Sequence, residues 1–280
     1  MNENVLSEPQ REVQRLLGRC MLRIQQYERL MKAVLAHHEL VGPAETLEDR
    51  RTARTEKFSD KSLGTLVKTL FETYVVPDGF TRDLLPEDKV PSDRISMAMS
   101  FRMSMSYDRW IQTKASVEDL VAMRNELVHH FIERFDVWSP EGCVAAAEHL
   151  DACYQRVDIH YLELVAWASS MEKARELAAA FAKTQAFHDL IVNGIAPDGS
   201  VDWSNTGIVR ALREGLTSLG AGEWVRLDDV CCRLSDHHPD QTPDKYGCRS
   251  WPQVVHESKL FDLQYRTEVG TRKVAWIRAR

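Results

Sequence analysis

Residues 224–266 read WVRLDDVCCRLSDHHPDQTPDKYGCRSWPQVVHESKLFDLQYR, and the order of elements in this stretch decides the fold of the C-terminal third. Trp224-Val225-Arg226-Leu227 opens an apolar spacing that continues through Val230 and Leu234, which predicts a short helix over about 227–234. Pro239 follows, Tyr246-Gly247 marks a turn, and a further short helix is expected over about 250–257. Leu260–Arg266 alternates as a strand, a second strand is expected over 273–278, and Glu268, Gly270 and Thr271 supply the turn of a hairpin. Upstream, residues 207–220 read as a helix. Three helices closed by a β-hairpin is the order of a winged helix-turn-helix.

These residues resemble the OST-HTH, or LOTUS, domain. That family pairs an opening of the form W-v-x-L with a P…YG turn, a helix of the form lxxlv and a closing hairpin. Trp224 to Leu227, Pro239, Tyr246-Gly247 and Val254-Val255 fit it, and the resemblance covers 204–280. It implies RNA as the ligand, with a protein partner bound through the winged helix in some members. Trp224, Leu227, Val230, Leu234, Tyr246, Trp251, Val254 and Phe261 are expected mostly in the core. Charge and location then nominate Lys245, Arg249 and Lys259 beside the third helix, and Arg272, Lys273 and Arg278 on the wing, as phosphate contacts. From Lys245 onward eight Lys/Arg face three acids, a local excess of five on a chain of net charge −6. Such a patch fits a nucleic-acid footprint, and fits a solvated basic tail equally well.

Working toward the N-terminus, Gly194 and Pro197-Asp198-Gly199-Ser200 read as a linker over 194–203. Before it, Cys143, Ala147, Leu150, Tyr154, Val157, Tyr161, Leu164, Ala168 and Met171 follow a 4-3 spacing, a heptad seam on a long helix from about 140 to 193 with room for a break. The seam packs either within its own domain or against a second subunit. A first helix over about 8–40 carries Leu16, Cys20, Ile24, Tyr27, Met31 and Val34 on one face. Arg11, Arg15, Arg19 and Arg23 form a separate row whose like charges repel unless an anion or acids from another segment answer them. Gly42-Pro43 breaks that helix, 44–57 reads as loop or loose helix, and Ser59-Asp60 as the cap of a helix reaching Tyr74. Ile95, Met97, Met99, Phe101, Met103 and Met105 alternate with small or polar residues, which predicts a half-buried strand inside a β insertion over about 78–106. Its partner is sought near 74–76 or 80–84.

The helix expected over 107–135 contains Met123-Arg124-Asn125-Glu126-Leu127-Val128-His129-His130-Phe131. Asn125 and His129, four apart, share a helix face, while Arg124 lies about 140° around from His129 and reaches that face only with its long side chain. Metal-independent RNA cleavage needs a base for the 2′-hydroxyl and a cation for the phosphorane, roles that suit His and Arg. Glu126 and Glu133 read as surface acids or partners of Arg124. The segment resembles the R-x(4–6)-H motif of HEPN domains, all-helical bundles that include metal-independent ribonucleases. That resemblance implies catalytic roles for Arg124, Asn125 and His129, a composite site across a homodimer, products with a 2′,3′-cyclic phosphate, and by analogy a toxin or phage-defence role. The strand-like insertion departs from a plain helical bundle.

Six cysteines form no C-x-x-C pair and read as idle thiols of a reducing compartment; neither a metal nor another cofactor is expected. No apolar run approaches a membrane span and the first residues lack an apolar signal core, so a cytoplasmic protein is expected. The fold class expected is mainly α: a HEPN-like bundle over 1–193 and a winged helix over 204–280. Three functions stand open: an endoribonuclease aimed by the winged helix, a non-catalytic RNA-binding or dimeric scaffold, and a DNA-binding regulator, the last disfavoured by a third helix poor in Lys and Arg.

Overall fold

The computed structural model describes residues 8–86, 96–220, 222–267 and 273–280. Ile95, the first residue of the alternating segment, and the turn residues Glu268, Gly270 and Thr271 lie outside the described residues, as does Arg272. The chain is mainly helical and divides into two compact units, Met1–Arg175 and Glu176–Arg280.

The first unit runs α1 (Glu8–His37), β1 (Glu39–Pro43), a 3₁₀ turn at Ala44–Thr46, α2 (Leu47–Ser59), α3 (Leu63–Thr73) and β2 (Val75–Pro77). It continues with β3 (Ser96–Ser100), β4 (Met103–Met105), α4 (Tyr107–His129), α5 (Phe131–Arg134) and α6 (Pro140–Phe181). The apolar face of α1 is buried along its length, from Val13 and Leu16 through Cys20, Ile24, Tyr27 and Met31 to Val34. It meets α6, where the Cys20 thiol lies 3.2 Å from the Leu150 carbonyl. Cys143, Leu150, Val157, Leu164 and Met171 of the heptad seam are buried in that same core, and Ala147, Tyr154, Tyr161 and Ala168 pack on it. The seam is therefore intramolecular: a 3.5-residue apolar repeat specifies a shallow helix crossing but not whose helix is crossed.

Three local expectations change. Residues 47–59 form a helix, and α3 is preceded by Ser62 rather than capped by Ser59-Asp60, because Ser59 ends α2. The alternating segment is two strands. β3 pairs antiparallel with β1, in register Glu39↔Ser100 to Pro43↔Ser96, and β4 pairs parallel with β2. The site near 74–76 is thus a partner, whereas 80–84 is not, and Gly42-Pro43 forms the end of an edge strand, where a proline's missing N–H is tolerated. The expected half-burial fails at Met97 and Met99, which are 41% and 37% exposed, because the described residues lay no cover over that side of the two-stranded β1–β3 ribbon; Met105 is buried.

The second unit begins with the end of α6 and runs α7 (Gln185–Asn193), a 3₁₀ turn at Trp203–Asn205, α8 (Gly207–Gly220), β5 (Val225–Arg226) and α9 (Leu227–His237). A 3₁₀ turn at Pro243–Tyr246, α10 (Trp251–Ser258), β6 (Phe261–Thr267) and β7 (Lys273–Ala279) complete it. The sheet order is β5-β7-β6, antiparallel throughout. Val225-Arg226, expected to open a helix, instead adds a third strand to the wing, pairing with Ile277 and Trp276. Ile208, Leu212, Val230, Leu234, Val254, Phe261 and Ile277 form the core. Gly215 lets α8 and α9 approach closely, since a Cβ there would stand 3.0 Å from side-chain atoms of both Val230 and Leu234.

The divide falls inside α6, ahead of the linker expected at 194–203. α7 is capped by Thr184, whose hydroxyl accepts from the Phe187 N–H, and ends on left-handed Gly194. Its last residue, Asn193, is fully buried in the winged helix. The Asn193 carbonyl accepts from the Gln241 amide at 3.1 Å, and the Tyr246 hydroxyl donates to Gln241 Oε1 at 2.6 Å while accepting from the Ile208 N–H at 3.2 Å. Burial pushes the Tyr246 phenol up to about 12, so it stays a neutral donor.

Candidate nucleic-acid interface

The two surfaces singled out in the sequence lie in different units. In the first, α4 carries Arg124, Asn125 and His129. Asn125 and His129 are exposed one turn apart, at the end of the helix. Arg124 is directed toward α1: its Nε lies 3.7 Å from Glu28, its Nη1 donates to Asn125 Oδ1 at 3.2 Å, and its side chain is 30% exposed. The acid beside Arg124 is thus Glu28, not Glu126 or Glu133. Glu126 binds Arg134 and lies 3.7 Å from His149, and Glu133 bonds His130 at 3.0 Å. Asn125 and His129 present their polar groups to solvent as they stand, whereas Arg124 reaches a phosphate there only by leaving Glu28.

The arginine row of α1 is answered within the chain. Arg11 pairs with Glu8 and Arg15 with Glu12, while Arg23 pairs with Asp158 at 2.7 Å. Arg19 stacks on the Tyr154 ring at 3.6 Å, and the two guanidiniums of Arg23 and Arg19 hold the Tyr154 phenol below its usual range. Sequence reasoning passed over a buried polar group nearby in the chain. His38 is 1% exposed and its Nδ1–H donates to the Leu35 carbonyl at 2.9 Å, and burial followed by the Arg54 charge drives its pKa down to about 4. It adjoins Glu39, which is flanked by Arg54 and Arg82. A neutral, enclosed imidazole of this kind is a structural group.

In the second unit the six nominated cations fall into distinct settings. Arg249 and Lys259 are exposed just beyond the two ends of α10, a helix about 12 Å long at 1.5 Å per residue. Lys259 occupies the left-handed region at φ 57°, and its carbonyl accepts from Arg280. Lys273 is exposed at the start of β7. These three pair with no carboxylate among the described residues. Lys245 instead lies 3.5 Å from Asp240, and Arg278 is bound to Asp262 at 2.9 Å, a carboxylate it shares with Arg280 and helps hold below its usual range. Arg278 also stacks on Trp224. Trp224, expected in the core, stands half-buried on the outer side of the sheet with Trp276, because β5 turns its alternate residues away from the helices. A strand of two residues gave no alternation from which to read this.

The cysteines are unpaired; burial pushes the Cys20 and Cys231 thiols up to about 12, which leaves them inert at neutral pH. Among the described residues no helix is long and apolar enough to cross a membrane. No curated protein and no solved structure matches the chain. Residues 199–271, from just after α7 to the wing, match the model of the OST-HTH/LOTUS domain, and the chain therefore carries a domain of that family at its C-terminal end.

Proposed function

We propose that this protein binds RNA through its C-terminal winged helix, with Arg249, Lys259 and Lys273 contacting phosphates. The observation that carries this reading is the OST-HTH/LOTUS match at 199–271 together with three exposed cations, unanswered by carboxylates among the described residues, that flank α10 and open β7. The exposed residues of α10 itself, His256 and Glu257, include no Lys or Arg, which favours backbone contacts over base reading in a DNA major groove. The test is fluorescence anisotropy of the full chain with labelled single-stranded RNA at several salt concentrations. Arg249→Ala, Lys259→Ala and Lys273→Ala should each weaken binding alike for all sequences and reduce the salt slope by about 0.7 per lost phosphate contact. Equal affinity of the triple variant and the natural protein would move the interface elsewhere.

A second reading adds chemistry. Exposure of Asn125 and His129 on one face of α4 favours a metal-independent endoribonuclease, with His129 as the base, Arg124 as the phosphorane cation after release from Glu28, and two copies completing the site in a homodimer. A toxin or defence role would follow from that activity by analogy only. Incubated with mixed RNA in EDTA, the natural protein should yield 2′,3′-cyclic phosphate ends, and His129→Ala and Arg124→Ala should lose about 100-fold or more in rate. Absence of cleavage, or equal cleavage by His129→Ala, leaves the helical unit as a non-catalytic scaffold for the RNA-binding module.

A further inference from the structure

The outer face of the winged-helix sheet holds a ladder of alternating indoles and guanidiniums. Cross-strand register places Arg226, Trp276 and Gln264 in one row, with Asp262 opposite Arg278 and Arg266 opposite Val274 on the same side, while Leu263, Ala275 and Ile277 face the core. On that face the Arg266 guanidinium lies 4.6 Å from the Trp276 ring centroid and 5.3 Å from that of Trp224, and Arg278 lies 4.9 Å from Trp224. The order Trp276, Arg266, Trp224, Arg278 is thus a continuous stack, and all four side chains keep partial access to solvent. Neither tryptophan belongs to the hydrophobic core of the unit.

Two features distinguish this stack from a mere cover for the sheet. Among the described residues, Arg266 hydrogen-bonds the neutral Gln264 amide and pairs with no carboxylate. The single aspartate on the face, Asp262, is shared by Arg278 and Arg280. Among the described residues, Arg266 is therefore a guanidinium on an aromatic face that no carboxylate answers. Contact with indole restrains each guanidinium, so its N–H edge is held ready for a phosphate while the solvent-exposed parts of the rings offer stacking area. Flat π surfaces interleaved with cations suit unpaired bases joined by a phosphate backbone. A duplex, whose bases are already stacked on each other, offers no such planes.

We propose that this sheet face is a stacking platform for single-stranded RNA, with Trp224 and Trp276 receiving bases and Arg266 the intervening phosphate. The proposal rests on the RNA-binding reading above and assigns it a surface separate from the α10 cations. Anisotropy of the full chain with a fluorescein-labelled, unstructured single-stranded RNA of mixed sequence and with a duplex of the same length supplies the test. The natural protein should prefer the single strand. Trp224→Ala/Trp276→Ala should bind it about tenfold or more weakly with the salt slope unchanged, and Arg266→Lys, which keeps the charge and loses the planar stack, should weaken it severalfold. Photo-crosslinking of a 5-bromouridine strand to the natural protein, needing no variant, should label peptides from β6, β7 or Trp224. If the natural protein binds no RNA, the RNA-binding reading falls and the platform with it. Platform failure alone would show as RNA binding undiminished in the folded double variant, equal affinity for duplex, or crosslinks confined to α10. Loss of a protein partner with RNA binding retained would equally overturn it.

Discussion

Leu150→Ala lowers the stability of the helical unit by about 3 kcal/mol, and by the same amount at every protein concentration. Leu150 is fully buried in the first third of α6, and its carbonyl faces the Cys20 thiol of α1. Removing three carbons from such a site forfeits their burial and leaves a cavity that a close-packed bundle refills poorly, a loss in the range of about 2–5 kcal/mol. Leu162, just over three turns along the same helix, is 57% exposed. Leu162→Ala should change stability by no more than about 0.5 kcal/mol. Urea unfolding followed by circular dichroism at two protein concentrations a hundredfold apart reads both quantities. The two units need not unfold together, so the transitions are fitted separately. A Leu150→Ala midpoint that rises with concentration would mean that the seam is shared between subunits, because association stabilises by mass action. A near-neutral Leu150→Ala would remove the core assignment altogether.

The heptad seam shows where sequence carries the fold and where it stops. Its period gives one buried row of α6, Cys143, Leu150, Val157, Leu164 and Met171, because apolar side chains seven apart leave water together whichever helix covers them. The second buried row is Ala146, Cys153, His160 and Trp167, in place of the partly buried Ala147, Tyr154, Tyr161 and Ala168. The winged helix was legible for a similar reason: its helices and hairpin are short, bounded by turn residues, and their apolar spacings change between elements. What escaped depended on pairing at a distance. Met97 and Met99 alternate as a strand should, yet nothing local says that β1 supplies a partner and that no layer of the described residues supplies a cover. Val225-Arg226 is too short to show a period. Arg124 and Glu28 are far apart in sequence, so the acid that answers the motif's arginine was invisible, whereas Glu126, its near neighbour, is engaged elsewhere. The cations of the candidate interface were found by composition. Which of them stay unanswered, Arg249 and Lys259 but not Lys245, was decided by carboxylates that folding brings near.

A fragment beginning at Thr184 should fold into a winged helix more stable by several kcal/mol than one beginning at Gly199, the start of the matched domain. The difference lies in α7. Asn193 sits fully buried at the end of that helix, its Nδ2 donating to Asp189 and its carbonyl accepting from Gln241. Gln241 is 6% exposed and Tyr246 5%, and their bonds to the Asn193 carbonyl exist only while α7 is in place. Deleting α7 strips Gln241 of an acceptor inside the protein. A buried polar group left unpaired costs about 1–3 kcal/mol, and the lost packing of the helix adds to it. The Arg210 guanidinium also loses the Val192 carbonyl, 2.8 Å away. In the full chain, Tyr246→Phe isolates the core of the argument without deleting a helix. It leaves the buried Ile208 N–H and Gln241 Oε1 without the hydroxyl that joins them, and should cost about 1–3 kcal/mol in the second unit alone. Asn193→Ala should cost a similar amount, and the two together less than their sum, because they open one network. Thermal unfolding of both fragments and a double-mutant cycle in the full chain measure these. Equal stability of the two fragments, or strict additivity of Asn193→Ala and Tyr246→Phe, would return α7 to the linker. A sub-additive pair makes α7 part of the folded winged-helix unit, one element longer than the family pattern that matches it.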